Sequence, residues 1–514
     1  RTSAVFPKLM ASGARFQLRL ARRYCRGRFS WNASNHNWNG SAGSAIAMPG
    51  AARFVRAGFF MDDPDFIDPE RPLLAERIGS RWRHMDDPAL QNSILERNNV
   101  GMGMVVLNRP KGLDLPAINT AYTRLRNLEV NTLKRFVGLT ASEGLTELSP
   151  APFCNGLDPK ELLLAATTAM RKGRLPRFSR AMLWHHQELA HLIADFRKPI
   201  VCQISGRATN GGAGLACLAN ISGAYTDSEV VVDACFTGLV PDGGLTYVLA
   251  QLPWHLGEFL ALTGWPVRGA DLVYIGLVKH WISHDALPFL ELTAEKHLEV
   301  SEHDSRVLLL EHSLPVPPGL GEADSIPKGV IPLLADAFSN SSIPLIAESL
   351  KQMADNQTDQ TLKNFANECL RRMETASPIA LHATLRLIHE ARRLVKQAPP
   401  PTGVGLHGPR GALVQVLRLE LRTQQRLLCE QDAVLGLHAK CLGRSLKQGE
   451  WSRKRIQDVL LVDTEEIVNR APRLEANEGE DFAVCDRSEF PFSQHPRLRR
   501  YHPDYNPKTG LDHD

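Results

Sequence analysis

The stretch that decides the fold covers residues 200–264 and reads IVCQISGRATNGGAGLACLANISGAYTDSEVVVDACFTGLVPDGGLTYVLAQLPWHLGEFLALTG. A short β-rich run, Pro199 to Ile204, leads into the glycine-rich turn Asn210-Gly211-Gly212, and Gly214 follows. Glycines in such a row are typical of a helix start that packs closely against a strand, because a side chain would not fit there. The stretch therefore predicts strands joined tightly to helices.

The same alternation of β-rich and helical runs continues on both sides of this stretch. From about residue 95, short β-rich runs such as Gly103 to Leu107 alternate with helical stretches such as Met182 to Phe196. This alternation is an α/β pattern. Two Pro/Gly-rich pieces, 313–329 and 397–411, are expected to be exposed connections.

The chain between and after these connections is predicted to be helical. Ser377 and Pro378 match an N-cap and a first helical position. An apolar face follows them at Leu381, Leu385, Ile388 and Leu394. We expect further helices within 412–443 and 452–475, whereas 486–514 mixes Pro, His, Arg and Tyr without period, as an extended peptide would.

Five motifs occur in an order that identifies a family. They are LNRPKGLD at 107–114, FCNGLD at 153–158, GLVPDGG at 238–244, LGEFLALTG at 256–264 and ASPIALHATLRLI at 376–388. Together with the glycine-rich turn they resemble the enoyl-CoA hydratase/isomerase (crotonase) superfamily, most closely its 3-hydroxyisobutyryl-CoA hydrolase branch. The resemblance spans about residues 95 to 475.

The resemblance implies an α/β fold with a crotonase-like spiral core of ββα units. We expect this core at 95–312 and a helical C-terminal region at 313–475, with the Pro/Gly-rich insert 397–411 inside it. A basic N-terminal segment, 1–94, and an extended C-terminal tail, 476–514, complete the predicted organisation.

Active relatives hold the thioester oxygen with two backbone N–H groups, a preorganised arrangement that stabilises developing negative charge. By resemblance these donors are Leu157 and Gly211. A bulky leucine stands at 157 where the branch has glycine, and Asn210 replaces the usual first glycine of the turn. Two interpretations stay open for Gly211, Gly212 and Gly214: a partly kept oxyanion hole, or tight packing alone.

Thioester hydrolysis also needs a carboxylate, as nucleophile or to activate water. The hydrolase branch places a Glu eight residues before the Asp of its GLFPD motif, which is Asp242 here, and that position is Ala234. The other glutamate position of the superfamily is Gly214. Asp233 is expected to face away along an extended segment, and Asp242 is expected to cap the following helix. The resemblance therefore predicts an inactivated site.

Two further sets of residues are candidate ligand sites. Lys111, in the NRPKGLD turn, falls where the family contacts CoA, but a lysine in a surface turn is also simply solvated, and we expect no resident cofactor. Gly403, Gly405 and Gly408 match a dinucleotide fingerprint, yet they follow prolines instead of a strand and predict a loop.

Metal binding is not expected. His185, Glu188 and His191 share one helical face without a third-ligand pattern, so we expect a solvated face and no metal. The nine cysteines lack zinc spacing, which fits a reducing compartment, and they are expected in the core. The Trp and Phe residues around 254–265 are expected in the core too.

The net charge of +4 over 514 residues does not by itself predict a nucleic-acid partner, but its distribution is uneven. Residues 1–60 hold ten basic side chains and no acidic one. Their composition is typical of a mitochondrial transit peptide and indicates the matrix. The segment is interpreted either as a solvated tail or as an arm on RNA; the arm would use Arg15, Arg19, Arg22, Arg23, Arg26 and Arg28. No run of 18 apolar residues predicts a membrane span.

Two functions follow from these features. In the first, the chain is a pseudoenzyme: it resembles the hydrolase-like proteins of the small subunit of some mitochondrial ribosomes, with mitochondrial rRNA and ribosomal proteins as partners and no small-molecule substrate. In the second, it is an active mitochondrial 3-hydroxyisobutyryl-CoA hydrolase, or a related acyl-CoA hydrolase or hydratase, of branched-chain amino-acid breakdown. The substituted site favours the first.

Overall fold

The computed structural model describes residues 94–98, 101–141, 152–172, 175–283, 325–327, 329–398, 410–447 and 449–452. All of them belong to Ala57–Asp514, one of the two compact units of the chain. The basic N-terminal segment, the boundary at 312/313, most of the 397–411 insert and everything after residue 452 lie outside these residues, and what was expected there stays a prediction.

Nine strands and thirteen α-helices lie in the described residues. The strands are β1 (Ile94–Asn98), β2 (Gly101–Leu107), β3 (Lys134–Ala141), β4 (Ile200–Gln203), β5 (Arg207–Thr209), β6 (Ile221–Ala224), β7 (Glu229–Val231), β8 (Val267–Arg268) and β9 (His280–Trp281). The helices of the core are α1 (Leu115–Val130), α2 (Pro159–Lys172), α3 (Arg177–Ala194), α4 (Asn210–Leu218), α5 (Leu245–Leu249), α6 (Leu256–Thr263) and α7 (Asp271–Tyr274). The later helices are α8 (Val330–Phe338), α9 (Ile343–Asn356), α10 (Gln360–Thr375), α11 (Pro378–Gln397), α12 (Arg410–Leu427) and α13 (Gln431–Cys441).

The main sheet has six strands in the order β1-β2-β3-β4-β6-β9. β1 pairs with β2 in antiparallel fashion, and every later neighbour is parallel. All seven residues of β2 are buried, as expected for a strand of a parallel sheet that is covered on both faces. This explains why GMGMVVL is apolar without alternation.

A second, smaller sheet has the order β5-β7-β8. The chain passes from β4 in the main sheet to β5 in the small one, runs through α4, and then repeats the step from β6 to β7. Successive ββα units therefore wind as a spiral, which confirms the predicted crotonase-like α/β core.

The predicted C-terminal helical region is present, and α11 shows how its sequence specifies a helix. Ser377 Oγ accepts a hydrogen bond from the Ala380 N–H at 3.3 Å, and Pro378 occupies the first turn. Leu381, Leu385 and Ile388 of the predicted apolar face are buried. The helical region expected within 412–443 forms two helices, α12 and α13.

One expectation for the core is wrong. Phe259 and Trp265 do pack together, with ring centroids 5.9 Å apart, but Trp254 has 52% of its surface exposed. Five of the seven described cysteines are buried, and all seven are free. Within the described residues, no helix combines the length and apolar character that a membrane crossing requires.

Candidate active site

Three of the residues singled out from the sequence, Leu157, Ala234 and Asp242, line one cavity. Its volume is about 30 Å³, space for roughly two water molecules. The rest of its lining is Asn155, Pro159, Leu162, Asn210, Thr237, Leu239, Val240, Gln424, Leu437 and Lys440. The last three belong to α12 and α13, so the C-terminal helices form one wall of the cavity.

The glycine-rich turn begins at a strained residue. Asn210 has a φ of +44°, in the left-handed region where glycine is comfortable and a side chain costs roughly 1–2 kcal/mol. This explains why the superfamily places glycine here. Asparagine tolerates the conformation better than most residues, and its Nδ2 donates to Asp233 Oδ1 at 2.6 Å.

The glycines after Asn210 are required by close packing. A Cβ at Gly212 would lie 2.3 Å from the Cys154 carbonyl oxygen, and one at Gly214 would lie 2.4 Å from the Gly243 carbonyl oxygen. Both distances are far below van der Waals contact, and both obstacles are backbone atoms. The packing interpretation therefore accounts for these two glycines, and a glutamate has no room at 214.

Gly211 is different, because its neighbours are polar side chains. The Asp242 carboxylate lies against the Gly211 backbone, because a Cβ there would lie 2.9 Å from Asp242 Oδ1 and 2.3 Å from Cε1 of His186. The Gly211 N–H also favours the charged form of this carboxyl group. The backbone donor that the resemblance implies for the thioester oxygen thus lies beside the chain's own carboxylate.

The electrostatics of this group depend on burial. Asp242 and His186 are 4% and 0% exposed. Burial raises the pKa of Asp242 to about 7, against the opposing effects of the Gly211 hydrogen bond and the Lys440 charge. Burial also lowers the pKa of His186 to about 4. His186 Nδ1 lies 3.6 Å from Asp242 Oδ2, too long for a hydrogen bond, and with a neutral imidazole at pH 7 the two groups form no ion pair.

Leu157 lies beside the same turn. The Leu113 N–H donates to the Gly156 carbonyl at 2.7 Å, and the Asp158 N–H donates to the Leu113 carbonyl at 2.9 Å. In a parallel bridge of this kind the two hydrogen bonds involve the residues on either side of Leu157, and the Leu157 N–H takes no part in the bridge. Its side chain, 6% exposed, fills space at the cavity wall.

Ala234 is held rigidly. It is 2% exposed and opens the 3-10 turn Ala234–Thr237. Its carbonyl accepts hydrogen bonds from Thr237 Oγ1 at 2.8 Å and from the Leu239 N–H at 3.1 Å. Where the resemblance implies a carboxylate, a methyl group on a fixed backbone faces the cavity.

The expectation of an extended segment at Asp233 is wrong. Its backbone, at φ −100° and ψ 18°, forms the N-cap of the 3-10 turn instead, because the chain turns here towards Gly238. Both Asp233 oxygens lie 3.1 Å from Nζ of Lys440. The charge of Asp233, beside the cavity, is therefore paired with that of Lys440. For this reason we still predict that Asp233 does not replace the missing glutamate.

The expected role of Asp242 as a helix cap is also wrong, because another residue performs it. Glu420 of α12 accepts from the Gly244 N–H at 2.8 Å and from the Thr246 N–H at 2.9 Å, at the start of α5. It is fully buried, which raises its pKa to about 8. A carboxyl group from the C-terminal helices thus fixes the turn that follows Asp242.

Lys111 is exposed, as a surface turn predicts. Asn155, a cavity residue, donates through Nδ2 to the Pro110 carbonyl at 2.5 Å and so ties this turn to the cavity. A contact between Lys111 and CoA stays a prediction.

The face of α3 that was expected to be solvated is mostly buried. His185 and Glu188 are 5% and 1% exposed, and Glu188 accepts from Trp184 Nε1 at 2.8 Å. The expectation was wrong because α1 and α12 both pack against α3 and cover this face. In the part of the chain that the structure describes, no group of His, Cys, Asp and Glu side chains could hold a metal ion.

Sequence reasoning missed His186, Glu420 and Lys440. None belongs to a motif, and two come from helices more than 170 residues away from the residues they contact. The arginines of the basic segment and the glycines at 403–408 lie outside the described residues.

Among the described residues that line the cavity, Asp242 is the one carboxyl group. Its proton equilibrium near pH 7 would suit proton transfer, and its carboxylate lies beside the Gly211 backbone. The cavity thus has one carboxyl group, at Asp242, and a methyl group at Ala234, where the resemblance implies a second one.

This fold and this altered pocket define a crotonase-type chain, and comparison with known proteins agrees. The family model for enoyl-CoA hydratase/isomerase matches residues 102–468. The chain belongs to that family.

Two relatives represent two roles. Small ribosomal subunit protein mS47 of Schizosaccharomyces pombe is 25% identical over 308 residues, 59% of this chain and 67% of that protein. Mitochondrial 3-hydroxyisobutyryl-CoA hydrolase of Xenopus tropicalis is 26% identical over 377 residues, 70% of this chain and 83% of that enzyme. A carnitinyl-CoA dehydratase from Mycobacterium thermoresistibile, 23% identical, superposes with a TM-score of 0.58 over 73% of this chain and 96% of its own; this similarity shows the fold.

Proposed function

We propose that this chain is a structural component of the small subunit of the mitochondrial ribosome, built on a hydrolase fold that no longer catalyses. One observation carries the proposal: at the position of the hydrolase glutamate, the cavity wall is the methyl group of Ala234. A missing central carboxylate costs several powers of ten in rate, each about 1.4 kcal/mol in activation free energy.

The surroundings of Ala234 support the same conclusion. The Asp242 carboxylate lies against the Gly211 backbone, where a thioester oxygen would have to bind. Gly214, the other glutamate position of the superfamily, has no space for a side chain. A cavity of about 30 Å³ is also much smaller than pockets that bind a drug-sized ligand.

The comparisons support the ribosomal half of the proposal, since proteins named as mS47 in two organisms are relatives of this chain. We propose the mitochondrial matrix as its location and mitochondrial rRNA and ribosomal proteins as its partners. The basic segment 1–60, with ten cationic side chains, is proposed to supply phosphate contacts. The domain boundaries expected from the sequence belong to this proposal.

An active hydrolase is the second candidate, and one observation favours it. Asp242 lies at the cavity with a pKa raised to about 7, which is where a general acid or base works best at neutral pH. In that case the Lys111 turn would contact CoA.

Sedimentation of the native protein from mitochondria tests the proposal. We expect the chain in the fractions that contain the small-subunit rRNA. A position among free proteins would contradict the ribosomal role.

A further inference from the structure

The turn that joins α5 to α6 presents a tryptophan to solvent in a strained conformation. Trp254 and His255 have φ values of +53° and +55°. Two adjacent residues with side chains in the left-handed region place strain on the backbone of this turn. Trp254 is also 52% exposed, unusual for a residue that normally buries most of its surface.

A network around Glu258 holds this turn in place. Glu258, 0% exposed, accepts from Arg392 Nη2 at 2.7 Å, and its Oε1 lies 3.0 Å from Nδ1 of His255. Arg392 also donates to the Ala250 carbonyl at 3.3 Å. Both sides of the turn are therefore anchored, and the strain of Trp254 persists because its neighbours fix the backbone.

The nitrogen-bearing side chains of this network are partly exposed, while its carboxylates are mostly buried. The side chains of Arg386, His255 and His389 are 38%, 32% and 29% exposed, against 0% for Glu258. Glu390, which pairs with Arg386 at 3.1 Å, is 13% exposed.

These side chains share one electrostatic neighbourhood. The pKa of His389 is lowered mainly by burial and further by the charges of Arg392, His255 and Arg386, against the opposing effect of Glu258. The surface next to Trp254 thus offers N–H donors from guanidinium and imidazole groups, with the positive charge on the arginines. We call Trp254, His255, Arg386, His389 and Arg392 the Trp254 surface.

We propose that the Trp254 surface binds a single-stranded segment of RNA, with a base stacked on Trp254 and its phosphates at the arginines and histidines. Aromatic platforms beside positive charge are how proteins bind unpaired nucleotides. A base within a duplex has no free face to stack, so the surface selects single strands. The inference rests on the proposed function for the source of the RNA, and it goes beyond it in assigning a surface of the folded core.

Fluorescence anisotropy with a labelled eight-nucleotide single-stranded RNA tests the proposal on the purified full chain. Trp254→Ala is expected to weaken binding about tenfold, within the range for loss of one stacked base, whereas Trp254→Phe keeps most of the affinity. Tyr274→Ala is the matched control, because Tyr274 is 42% exposed and lies outside the Trp254 surface; it is expected to change nothing.

Salt dependence separates stacking from charge. Trp254→Ala should leave the slope of log Kd against log salt unchanged, and Arg386→Gln should lower it by about one. Because the basic segment binds phosphates in every variant, Trp254→Ala is compared with the unmodified chain at high salt, where phosphate contacts weaken and stacking remains. Ultraviolet crosslinking of the unmodified chain, mapped to the peptide around residue 254, gives the same answer without any variant.

Full RNA affinity in Trp254→Ala, or equal losses with Ala and Phe, would overturn the proposal. The proposal would also be overturned if Trp254→Ala bound RNA normally but no longer joined the ribosomal subunit, since the surface would then contact a protein. Binding to RNA by a chain that sediments as free protein would reject the ribosomal role and keep the Trp254 surface.

Discussion

The carboxylate of Asp242 lies against the backbone of Gly211, 31 positions earlier in the chain, since a Cβ at Gly211 would lie 2.9 Å from Asp242 Oδ1. In a working hydrolase the Gly211 N–H would be directed at the thioester oxygen, as the resemblance implies. Asp242 belongs to the GLVPDGG motif, so this motif of the resemblance is present while the glutamate position holds Ala234. A buried carboxyl group thus lies next to the expected oxyanion donor, in a cavity whose other expected carboxylate position is a methyl group.

Restoring the glutamate should reveal the latent chemistry. We expect the unmodified chain to show no hydrolysis of 3-hydroxyisobutyryl-CoA above background, and Ala234→Glu to gain measurable hydrolysis because it adds the missing carboxylate to a cavity that still holds Asp242. Ala234→Gln has the same size without the charge and is expected to stay inactive. Thiol release measures all three, and substantial activity in the unmodified chain would reject the inactive site.

Gly214 should not accept even a methyl group. Alanine is favoured over glycine in a helix by about 1 kcal/mol, yet Gly214→Ala would place Cβ 2.4 Å from a backbone oxygen. We expect a loss of about 2 kcal/mol in the free energy of unfolding, measured with urea.

Gly276→Ala controls for backbone strain alone, since Gly276 has a φ of +82° and no atom lies within 4 Å of the position that an added methyl group would take. It should cost about 1 kcal/mol. A stability of Gly214→Ala equal to that of the unmodified chain would show that the space at 214 is open.

Much of the site followed from spacing, because the family motifs fix local backbone shape. Asp242 is the eighth residue after Ala234, and both line the cavity as expected. The same spacing could not show that the segment at Asp233 is a 3-10 turn, since periodicity in two or three residues does not distinguish a turn from a strand.

The residues missed by sequence reasoning depend on tertiary packing. Glu420 and Lys440 reach the core from α12 and α13, across an intervening Pro/Gly-rich insert, and no local pattern encodes that approach. His186 belongs to no motif; its importance arises only because α3 packs behind Gly211. Trp254 was expected in the core because its neighbours Phe259 and Trp265 are, and only the backbone turn directs it outward.

Glu420 should make the fold less stable in alkali. Its pKa is about 8 in the fold and near 4.5 in the unfolded chain. Between these values the unfolded state has released a proton that the folded state keeps, so the free energy of unfolding falls as pH rises. Asp242 acts in the same direction up to about pH 7, and His186 acts oppositely below pH 6.5.

Between pH 7 and 8.5 the buried thiols, whose pKa values are raised by burial, act in the same direction, so the comparison of variants isolates Glu420. We expect Glu420 to contribute a loss of about 1 kcal/mol across this window, and Glu420→Gln should make the slope shallower by that amount although it lowers stability at every pH. Exposed Glu348→Gln is the control and should keep the slope. An unchanged slope in Glu420→Gln would mean that another group titrates.

The basic segment should dominate salt-sensitive RNA affinity. Deletion of residues 1–60 removes ten cationic side chains, and each phosphate that is no longer neutralised lowers the salt slope by about 0.7–0.9. Filter binding to mitochondrial small-subunit rRNA between low and moderate salt measures the change. A slope that survives the deletion would show that other parts of the chain bind the phosphates.

Sedimentation of the native chain in a mitochondrial extract distinguishes a ribosomal component from a free enzyme, first with intact ribosomes and then after low magnesium separates their subunits. We expect the chain to move with the small-subunit rRNA in both gradients, and Ala234→Gln, which adds no carboxylate at the glutamate position, to move with it as well. A chain that stays among free proteins in both gradients, while hydrolysing acyl-CoA thioesters, would contradict the ribosomal role and the inactive site together.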